Sequence, residues 1–239
     1  MKNFSNLLSV IAVIIAVFAW INSYKAPKQS GLSAEAVSAA LNENPKMVID
    51  AFNNYQEQQR IAAEKAAQEA MEKFLPDLVS TDNALFVGPE DAKTTVVEFF
   101  DFSCGYCKRL APELEKVVAA NNDVKFIFKP MTFLGSTYQA KGAYAAANQG
   151  KFIEYYTAVM AANGRMSEAD VDAAAEKLGL DMEKFKTDLA AEDVAGKLEK
   201  ISELADNVQV RGVPSLFING KPVHAMNAEE LQKLIDEAK

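Results

Sequence analysis

Short apolar runs between residues 81 and 239 predict a mixed α/β domain. Thr94 to Phe100 is rich in β-branched and aromatic residues and is apolar on both faces, which is typical of a central strand covered on both sides. Lys108 to Ala120 carries leucines and valines at helical spacing, and Val124 to Phe128 is a second strand-like run. A strand, a helix and a strand joined at this distance predict a βαβ unit. Leu85 to Val87, closed by a Gly-Pro pair, predicts an edge strand.

From about residue 136 to 207 the apolar spacing becomes helical, which predicts a helical insertion within the α/β domain. The predicted helices are Tyr138–Asn148, Phe152–Ala161, Glu168–Leu178, Met182–Leu189 and Asp193–Ala205. Capping boxes are predicted at Ser167 with Asp170, and at Asn227 with Glu230 before a last helix, Ala228–Ala238. Between these regions, Pro214–Ile218 and Lys221–Val223 predict a hairpin, because Asn-Gly is a strong two-residue turn.

The segment from residue 31 to residue 80 predicts a helical arm. Ser33 is expected to cap a first helix from Ala34 to Leu41. Pro45 to Leu75 has a helix-forming composition and predicts a long helix that Pro76 ends. The apolar stripe of this helix is thin, and such a helix needs a partner to be stable. Two interpretations remain open: the helix packs on its own domain, or it is an oligomerisation arm.

Residues 1–24 predict a targeting segment. Leu7 to Ile21 is almost unbroken apolar sequence with lysines on both sides. This length suits a signal peptide, whereas Trp20 and Tyr24 suit the aromatic belt of a retained membrane anchor. Either interpretation exports the rest of the chain to an oxidising compartment, which for a short bacterial-type segment is the periplasm.

Composition and charge exclude several classes of function. The chain is 49% hydrophobic and 24% charged, as expected of a globular protein, and its formal net charge of -8 argues against a nucleic-acid partner. Cys104 and Cys107 are the only cysteines, so no separate structural disulfide is possible. A zinc site needs at least three protein ligands. The one histidine, His224, lies far along the chain, so no metal site is predicted.

The two cysteines lie where the predicted central strand meets the following helix, with Ser103 as a candidate N-cap. The free N–H groups and dipole of a helix N-terminus favour a thiolate, so Cys104 is the predicted nucleophile. Cys107, one turn later, is the predicted resolving thiol, which releases the substrate. Glu98 is an acid within an apolar strand, where burial would raise its pKa and allow proton exchange with Cys107. A lysine such as Lys129 is an alternative partner for this carboxylate.

Residues 98–109 read Glu-Phe-Phe-Asp-Phe-Ser-Cys-Gly-Tyr-Cys-Lys-Arg. This motif resembles the Com1-like and copper-sensitivity suppressor branch of the DsbA family, whose members have the thioredoxin fold. The order of elements, with a helical insertion and then Gly212-Val213-Pro214 before a hairpin, is similar to that of the family. The branch also carries an N-terminal helical segment with an Asn-Pro pair, like Asn44-Pro45. The resemblance spans roughly residues 31 to 239.

The resemblance implies roles for several residues. It places a buried acid at Glu98, and it implies a cis-proline at Pro214 beside the dithiol. The backbone of Val213 is then expected to pair with an extended substrate segment. Gly105 and Tyr106 are expected to tune the thiolate. The best-known oxidase of the family has Pro-His at these two positions, so the lack of a histidine favours isomerase or reductase activity over oxidase activity.

At the level of the whole protein, the resemblance implies an exported enzyme, a protein disulfide oxidoreductase or isomerase that needs no cofactor. Its expected partners are proteins with thiols or disulfides and a membrane redox partner. Related branch members are trimers, so the arm is expected to form a homo-oligomer, a trimer or a dimer, whose shared cleft suits disulfide isomerisation. Two alternatives remain: a monomeric DsbA-like dithiol oxidase, and a non-catalytic surface or binding protein on this fold.

Overall fold

A computed structural model describes residues 33–82 and 84–239. The predicted signal peptide or anchor in residues 1–24 lies outside these residues. Within the described ranges, no helix is long and apolar enough to cross a membrane. The chain divides into two compact units between Ile61 and Ala62.

The first unit consists of helix α1 (Ala34–Glu43) and the N-terminal part of helix α2 (Lys46–Val79). The Ser33 side chain accepts a hydrogen bond from the backbone N–H of Ala36 at 3.2 Å, as a helix cap should. On α2 a set of apolar side chains is between 52% and 60% exposed: Val48, Ile49, Phe52 and Tyr55. At 100° per residue these four side chains lie within an arc of about 120°. We call them the apolar row.

The second unit contains the rest of α2 and a five-stranded sheet with helices around it. Its further elements, in chain order, are β1 (Leu85–Val87), β2 (Thr94–Phe100), α3 (Gly105–Ala120), β3 (Val124–Pro130), α4 (Thr137–Ala147), α5 (Phe152–Met160), α6 (Glu168–Lys177), α7 (Met182–Leu189), α8 (Glu192–Asn207), β4 (Ser215–Ile218), β5 (Lys221–Val223) and α9 (Ala228–Ala238). The α/β fold with a helical insertion and a preceding helical segment is therefore confirmed.

The sheet has the order β1-β3-β2-β4-β5, which makes β2 the central strand. All seven residues of β2 are buried, as its two-sided apolar pattern predicts. β2 pairs in parallel with β3, and β1 closes the far edge antiparallel to β3. β4 pairs antiparallel with the other side of β2. The carboxyl end of β2 therefore leads the chain directly into the cysteine motif at the middle of the sheet.

The predicted end of the long helix at Leu75 is wrong, because α2 continues through Pro76 to Val79. A proline inside a helix removes one hydrogen bond and costs about 3 kcal/mol. The residues around it are packed, however. Leu78 is fully buried, and the Leu75 side chain contacts the turn at Gly220, where an added Cβ would lie 2.4 Å from Leu75 Cδ1. Burial of a leucine contributes about 1.5 to 3 kcal/mol, so tertiary packing keeps this turn helical.

From residue 136 onward, the local signals hold with one exception. The predicted insertion helices match the observed ones within two residues at each end. Ser167 and Asp170 form the predicted capping box in both directions. The hairpin turn has Asn219 and Gly220 at positive φ, 49° and 79°, as a two-residue turn requires. The predicted box at Asn227 is only half formed. Asn227 accepts from the Glu230 N–H, but the Glu230 carboxylate accepts from Met226 instead.

Candidate active site

A tight turn after β2 positions the cysteine motif. Asp101 is fully buried, and its carboxylate accepts hydrogen bonds from the backbone N–H groups of Ser103 at 2.8 Å and Leu134 at 3.0 Å. The Asp101 carbonyl accepts from the N–H of Cys104 at 2.9 Å. The turn is therefore held from inside by one side chain. Ser103 is not the N-cap as predicted. Cys104 occupies that position with extended backbone angles, φ -80° and ψ 121°.

Cys104 lies at the N-terminus of α3 and makes no side-chain capping bond there. Cys104 is thus the N-cap residue of a sixteen-residue helix, at the end where a helix has free backbone N–H groups. The Cys104 Sγ donates to the carbonyl oxygen of Val213 at 3.4 Å. Both cysteines are free thiols in this structure, so this is the geometry of the reduced dithiol.

Cys107 differs from Cys104 because it is fully buried on the inner face of α3. Burial raises the pKa of the Cys107 thiol well above its ordinary value, and the negative charge of Glu98 raises it further. A hydrogen bond from the backbone of Asp101 acts in the opposite direction. This thiol becomes a nucleophile only when a neighbouring base accepts its proton.

Glu98 lies in the middle of β2 and is 1% exposed. Burial raises the pKa of its carboxyl from the ordinary 4.5 to about 8, and a hydrogen bond from Tyr156 opposes part of this rise. The Tyr156 hydroxyl donates to Glu98 Oε2 at 3.0 Å. Glu98 Oε1 is buried and has no hydrogen-bond partner among the described residues. One oxygen of this acid is thus held in place while the other remains available to exchange a proton.

Lys129 is not the partner of Glu98. The β2–β3 register pairs Glu98 with Phe128, so Lys129, one residue later, points to the opposite face of the sheet. The Lys129 amino group instead donates to the Asp77 carbonyl of α2 at 3.4 Å. Burial lowers the pKa of Lys129 to about 8. The alternation of side chains along a strand therefore separates two groups that sequence proximity would have paired.

Sequence reasoning missed Tyr156. It lies on α5, 58 residues beyond Glu98, and its ring is held edge-on by Phe100 and tilted against Phe128, with centroid distances of 5.2 and 5.1 Å. Apolar and aromatic residues on α5 predict a core face, but no local spacing tells that one phenol reaches a carboxylate on β2. Asp101 was also missed: one of its two acceptor bonds is local, from the Ser103 N–H, but the other forms only when the loop at Leu134 folds over it.

The predicted substrate-facing residues lie beside the dithiol. The Val213–Pro214 peptide bond is cis, and Val213 is brought to Cys104 by the carbonyl contact described above. Gly105 and Tyr106 lie on the solvent side of the motif. The Tyr106 ring is 60% exposed and has the Arg109 guanidinium 4.2 Å above its centroid. Within the described residues, no group of three or more metal-ligating side chains is gathered.

Comparison with known proteins identifies the family of this domain. The family model described as Thioredoxin matches residues 80–237. A thioredoxin-like oxidoreductase of known structure from Silicibacter pomeroyi is 31% identical, with a TM-score of 0.62, over 68% of this chain and 96% of that one. A Proteus mirabilis ScsC variant structure is 22% identical, with a TM-score of 0.70, over 89% of this chain and 98% of that one. At 22% identity, the similarity to ScsC shows a shared fold and nothing further.

The curated relatives include two kinds of protein. The probable disulfide bond formation protein D of Bacillus cereus is 30% identical over 173 residues, which is 66% of this chain and 79% of that protein. A Na(+)/H(+) antiporter NhaA 3 from Salinispora tropica is 33% identical over 156 residues, 63% of this chain. The chain spans about a quarter of the length of such antiporters, so the similarity concerns one domain of them. With residues 80–237 matched and the dithiol at the head of its helix, the chain belongs to the thioredoxin family.

Proposed function

We propose that this protein is an exported thiol-disulfide oxidoreductase that exchanges disulfides with protein substrates and acts mainly as a disulfide isomerase. Cys104 and Cys107 are the reacting groups, Glu98 carries protons for Cys107, and Val213 with Pro214 form the substrate edge. The apolar segment in residues 1–24 supports export to the periplasm, where a membrane redox partner would keep the dithiol reduced.

One observation carries the chemistry: a thiol at a helix N-terminus, 7% exposed, lies one turn from a fully buried thiol beside a buried acid. The Cys104 thiolate attacks one sulfur of a substrate disulfide, which forms a mixed disulfide and releases the other substrate sulfur as a thiolate. In isomerisation, a different substrate thiolate then attacks the mixed disulfide and expels the Cys104 thiolate. The protein ends reduced, as it began, and the substrate has one disulfide rearranged.

Glu98 serves the competing reaction, in which a substrate is released without rearrangement. The ionised Glu98 carboxylate accepts the Cys107 proton, and the Cys107 thiolate attacks Cys104 Sγ. A Cys104–Cys107 disulfide forms, and the substrate leaves as a thiolate that takes up a proton. Burial raises the pKa of Glu98 to about 8, so the carboxyl is mostly protonated at neutral pH. We infer that this disfavours the escape route and leaves the mixed disulfide open to isomerisation.

The apolar row supports an oligomer. Four apolar side chains on one side of α2, Val48, Ile49, Phe52 and Tyr55, are each more than half exposed in the single chain. An exposed apolar stripe on a long helix marks a protein–protein contact. Oligomerisation through this row would bring several dithiols together around one substrate, which suits isomerisation of non-native disulfides.

Activity and solution mass of two chains test this proposal. Residues 33–239 are compared with residues 62–239, a truncation that keeps the packed end of α2, including the buried Leu78. We expect the longer chain to be an oligomer that reactivates scrambled ribonuclease, and the shorter one to be a monomer that still reduces insulin but reactivates little. An active monomer of the longer chain that oxidises reduced ribonuclease, but does not reactivate the scrambled form, would support the oxidase instead.

Point variants test whether the apolar row, and not another part of the arm, forms the contact between chains. Ile49→Glu with Phe52→Glu places charges in the row, and we expect it to lower the solution mass to that of one chain. Asn54→Glu is the matched control, because Asn54 lies on the opposite side of the same exposed helix and already carries a polar side chain. If neither residues 33–239 nor residues 62–239 reduce insulin, the alternative of a non-catalytic binding protein is supported instead.

A further inference from the structure

Positive charge is concentrated around the dithiol of an otherwise acidic protein. The chain has a formal net charge of -8 and four arginines. Three of them, Arg109, Arg165 and Arg211, lie in the segments that surround Cys104, and all three are exposed. Arg109 follows the motif on α3, and Arg211 lies two residues before Val213, whose carbonyl is 3.4 Å from Cys104 Sγ. The fourth arginine is on the arm.

Arg165 comes to the same place through two loops. The Lys108 amino group donates to the carbonyl of Ala162 at 2.8 Å and to that of Gly164, which ties the loop before Arg165 to the first turn of α3. The Arg165 guanidinium donates to the Leu134 carbonyl at 2.7 Å. Leu134 is in turn bonded to Asp101, the residue that shapes the cysteine turn. Arg165 is therefore held next to the loop that contacts the cysteine turn, and its side chain is exposed.

Carboxylates are few in the segments next to Cys104, and the nearest ones after Arg165 are Glu168 and Asp170 on α6. The four surrounding segments, residues 101–111, 131–137, 161–167 and 208–218, contain a single carboxylate, Asp101. That carboxylate is fully buried and accepts two backbone N–H bonds. None of the three arginines has an ion-pair partner among the salt bridges of the described residues. Their charge is available to a bound molecule.

The surface also has apolar contact points for a polypeptide. A shallow groove of about 540 Å³ beside Cys104 is lined by Ser103, Phe133, Leu134, Gly135 and Arg165. Phe133 on this groove and Tyr106 on the motif are each 60% exposed, and they are the large hydrophobic side chains of the second unit that remain this exposed. Aromatic faces with adjacent arginines bind extended chains that carry both apolar and acidic side chains.

We propose that the active-site mouth selects extended polypeptide segments that carry Asp or Glu within a few residues of the reacting cysteine. This inference rests on the proposed function and specifies its substrate class. The three arginines attract the acidic segment and hold it while Cys104 Sγ forms the mixed disulfide. Segments with lysine beside the cysteine are repelled. Exposed charges act mainly on association, so the preference appears in the second-order rate and declines with salt.

Three peptides of identical length and central cysteine test the selection. Their flanking residues are aspartates, serines or lysines, and each peptide is presented as a mixed disulfide with thionitrobenzoate, whose release by the reduced protein is followed by absorbance. We expect the aspartate peptide to react about tenfold faster than the lysine peptide at low ionic strength. The serine peptide should lie between them, and the ratio should fall towards one in about 0.5 M salt, where charges are strongly screened.

Variants test whether the three arginines cause the preference for the aspartate peptide. Arg109→Gln, Arg165→Gln and Arg211→Gln each remove one positive charge, and their combination should reduce the aspartate-to-lysine rate ratio to about twofold or less. The ratio is the readout, because loss of a cation near Cys104 also affects the rate with every peptide. Lys93→Gln is the matched control. It removes one exposed charge before the start of β2, at the other end of that strand from the dithiol, and should leave the ratio unchanged.

Two failures are distinguishable. Equal rates for the three peptides, or a ratio that persists in the triple variant, would overturn the acidic preference while leaving disulfide exchange intact. No thionitrobenzoate release from any peptide would overturn the proposed function, and with it the substrate class.

Discussion

Replacing Glu98 by glutamine isolates the energetic effect of burying this acid. Its carboxyl is 1% exposed, and its pKa rises from 4.5 to about 8 on folding. Each unit of difference between the folded and unfolded pKa is equivalent to about 1.4 kcal/mol. The interval from 4.5 to about 8 therefore corresponds to about 5 kcal/mol of unfolding free energy. A glutamine side chain would keep the shape and accept the same hydrogen bond from Tyr156 through its amide oxygen, but it does not titrate.

The direction in which stability changes with pH follows from how many protons the folded and unfolded states bind. Below pH 4.5 the carboxyl is protonated in both states, and the contribution to stability is fully present. As pH rises from 4.5 to about 8, the unfolded chain loses this proton while the folded chain keeps it, so the wild-type protein becomes progressively less stable. Above about 8 both states are ionised and the loss is complete. Relative to Glu98→Gln, the wild type should lose about 3.5 kcal/mol between about pH 5 and pH 8.

Urea denaturation of both proteins at four pH values between about 5 and 8, with a phosphine reductant to keep the thiols reduced, measures this difference. The amide leaves one buried N–H₂ group near the unpartnered Oε1 position, so the absolute stability of the variant also changes, at every pH. The slope of the difference against pH is therefore the decisive quantity. Glu176→Gln, on the exposed surface of α6, should keep the wild-type slope. A difference that is flat with pH would refute the assignment of a protonated, buried Glu98.

Three further predictions concern the site and its support. In Tyr156→Phe, loss of the hydroxyl that stabilises the Glu98 carboxylate should raise the pKa of Glu98 further above about 8; a carboxyl ¹³C NMR titration that finds it lower would contradict this. Cys107→Ser should accumulate mixed disulfides with substrate proteins on non-reducing gels, whereas Cys104→Ser should form none; trapping by Cys104→Ser would reverse the assigned roles. Leu78→Ala should lower the unfolding free energy by about 2 to 5 kcal/mol in chemical denaturation, and a loss below about 1 kcal/mol would show that the end of α2 is not part of the core.

Local patterns were sufficient for most of the fold. The apolar run of Thr94 to Phe100 became the buried central strand, and the Asn-Gly pair became the hairpin turn. The free dithiol at the head of α3 also follows from the residues alone, because strand, Cys-x-x-Cys and helix are contiguous in sequence. The predicted end of α2 at Leu75 was wrong because tertiary packing outweighed a local signal. Pro76 is a local signal against a helix, and it was outweighed by burial of Leu78 against elements distant in sequence.

By itself, the sequence determined which groups are candidates to react: two cysteines, one strand acid and a Val-Pro pair, which together predict thiol-disulfide exchange. The tertiary structure decided what surrounds them. Strand alternation turned Lys129 away from Glu98, and a phenol 58 residues further along the chain, Tyr156, took the place of a counter-ion. Packing also brought Arg165 to the loop at Leu134, which contacts the cysteine turn through Asp101. Such juxtapositions depend on the register of the sheet and on loop contacts over long sequence separations, which local apolar patterns do not encode.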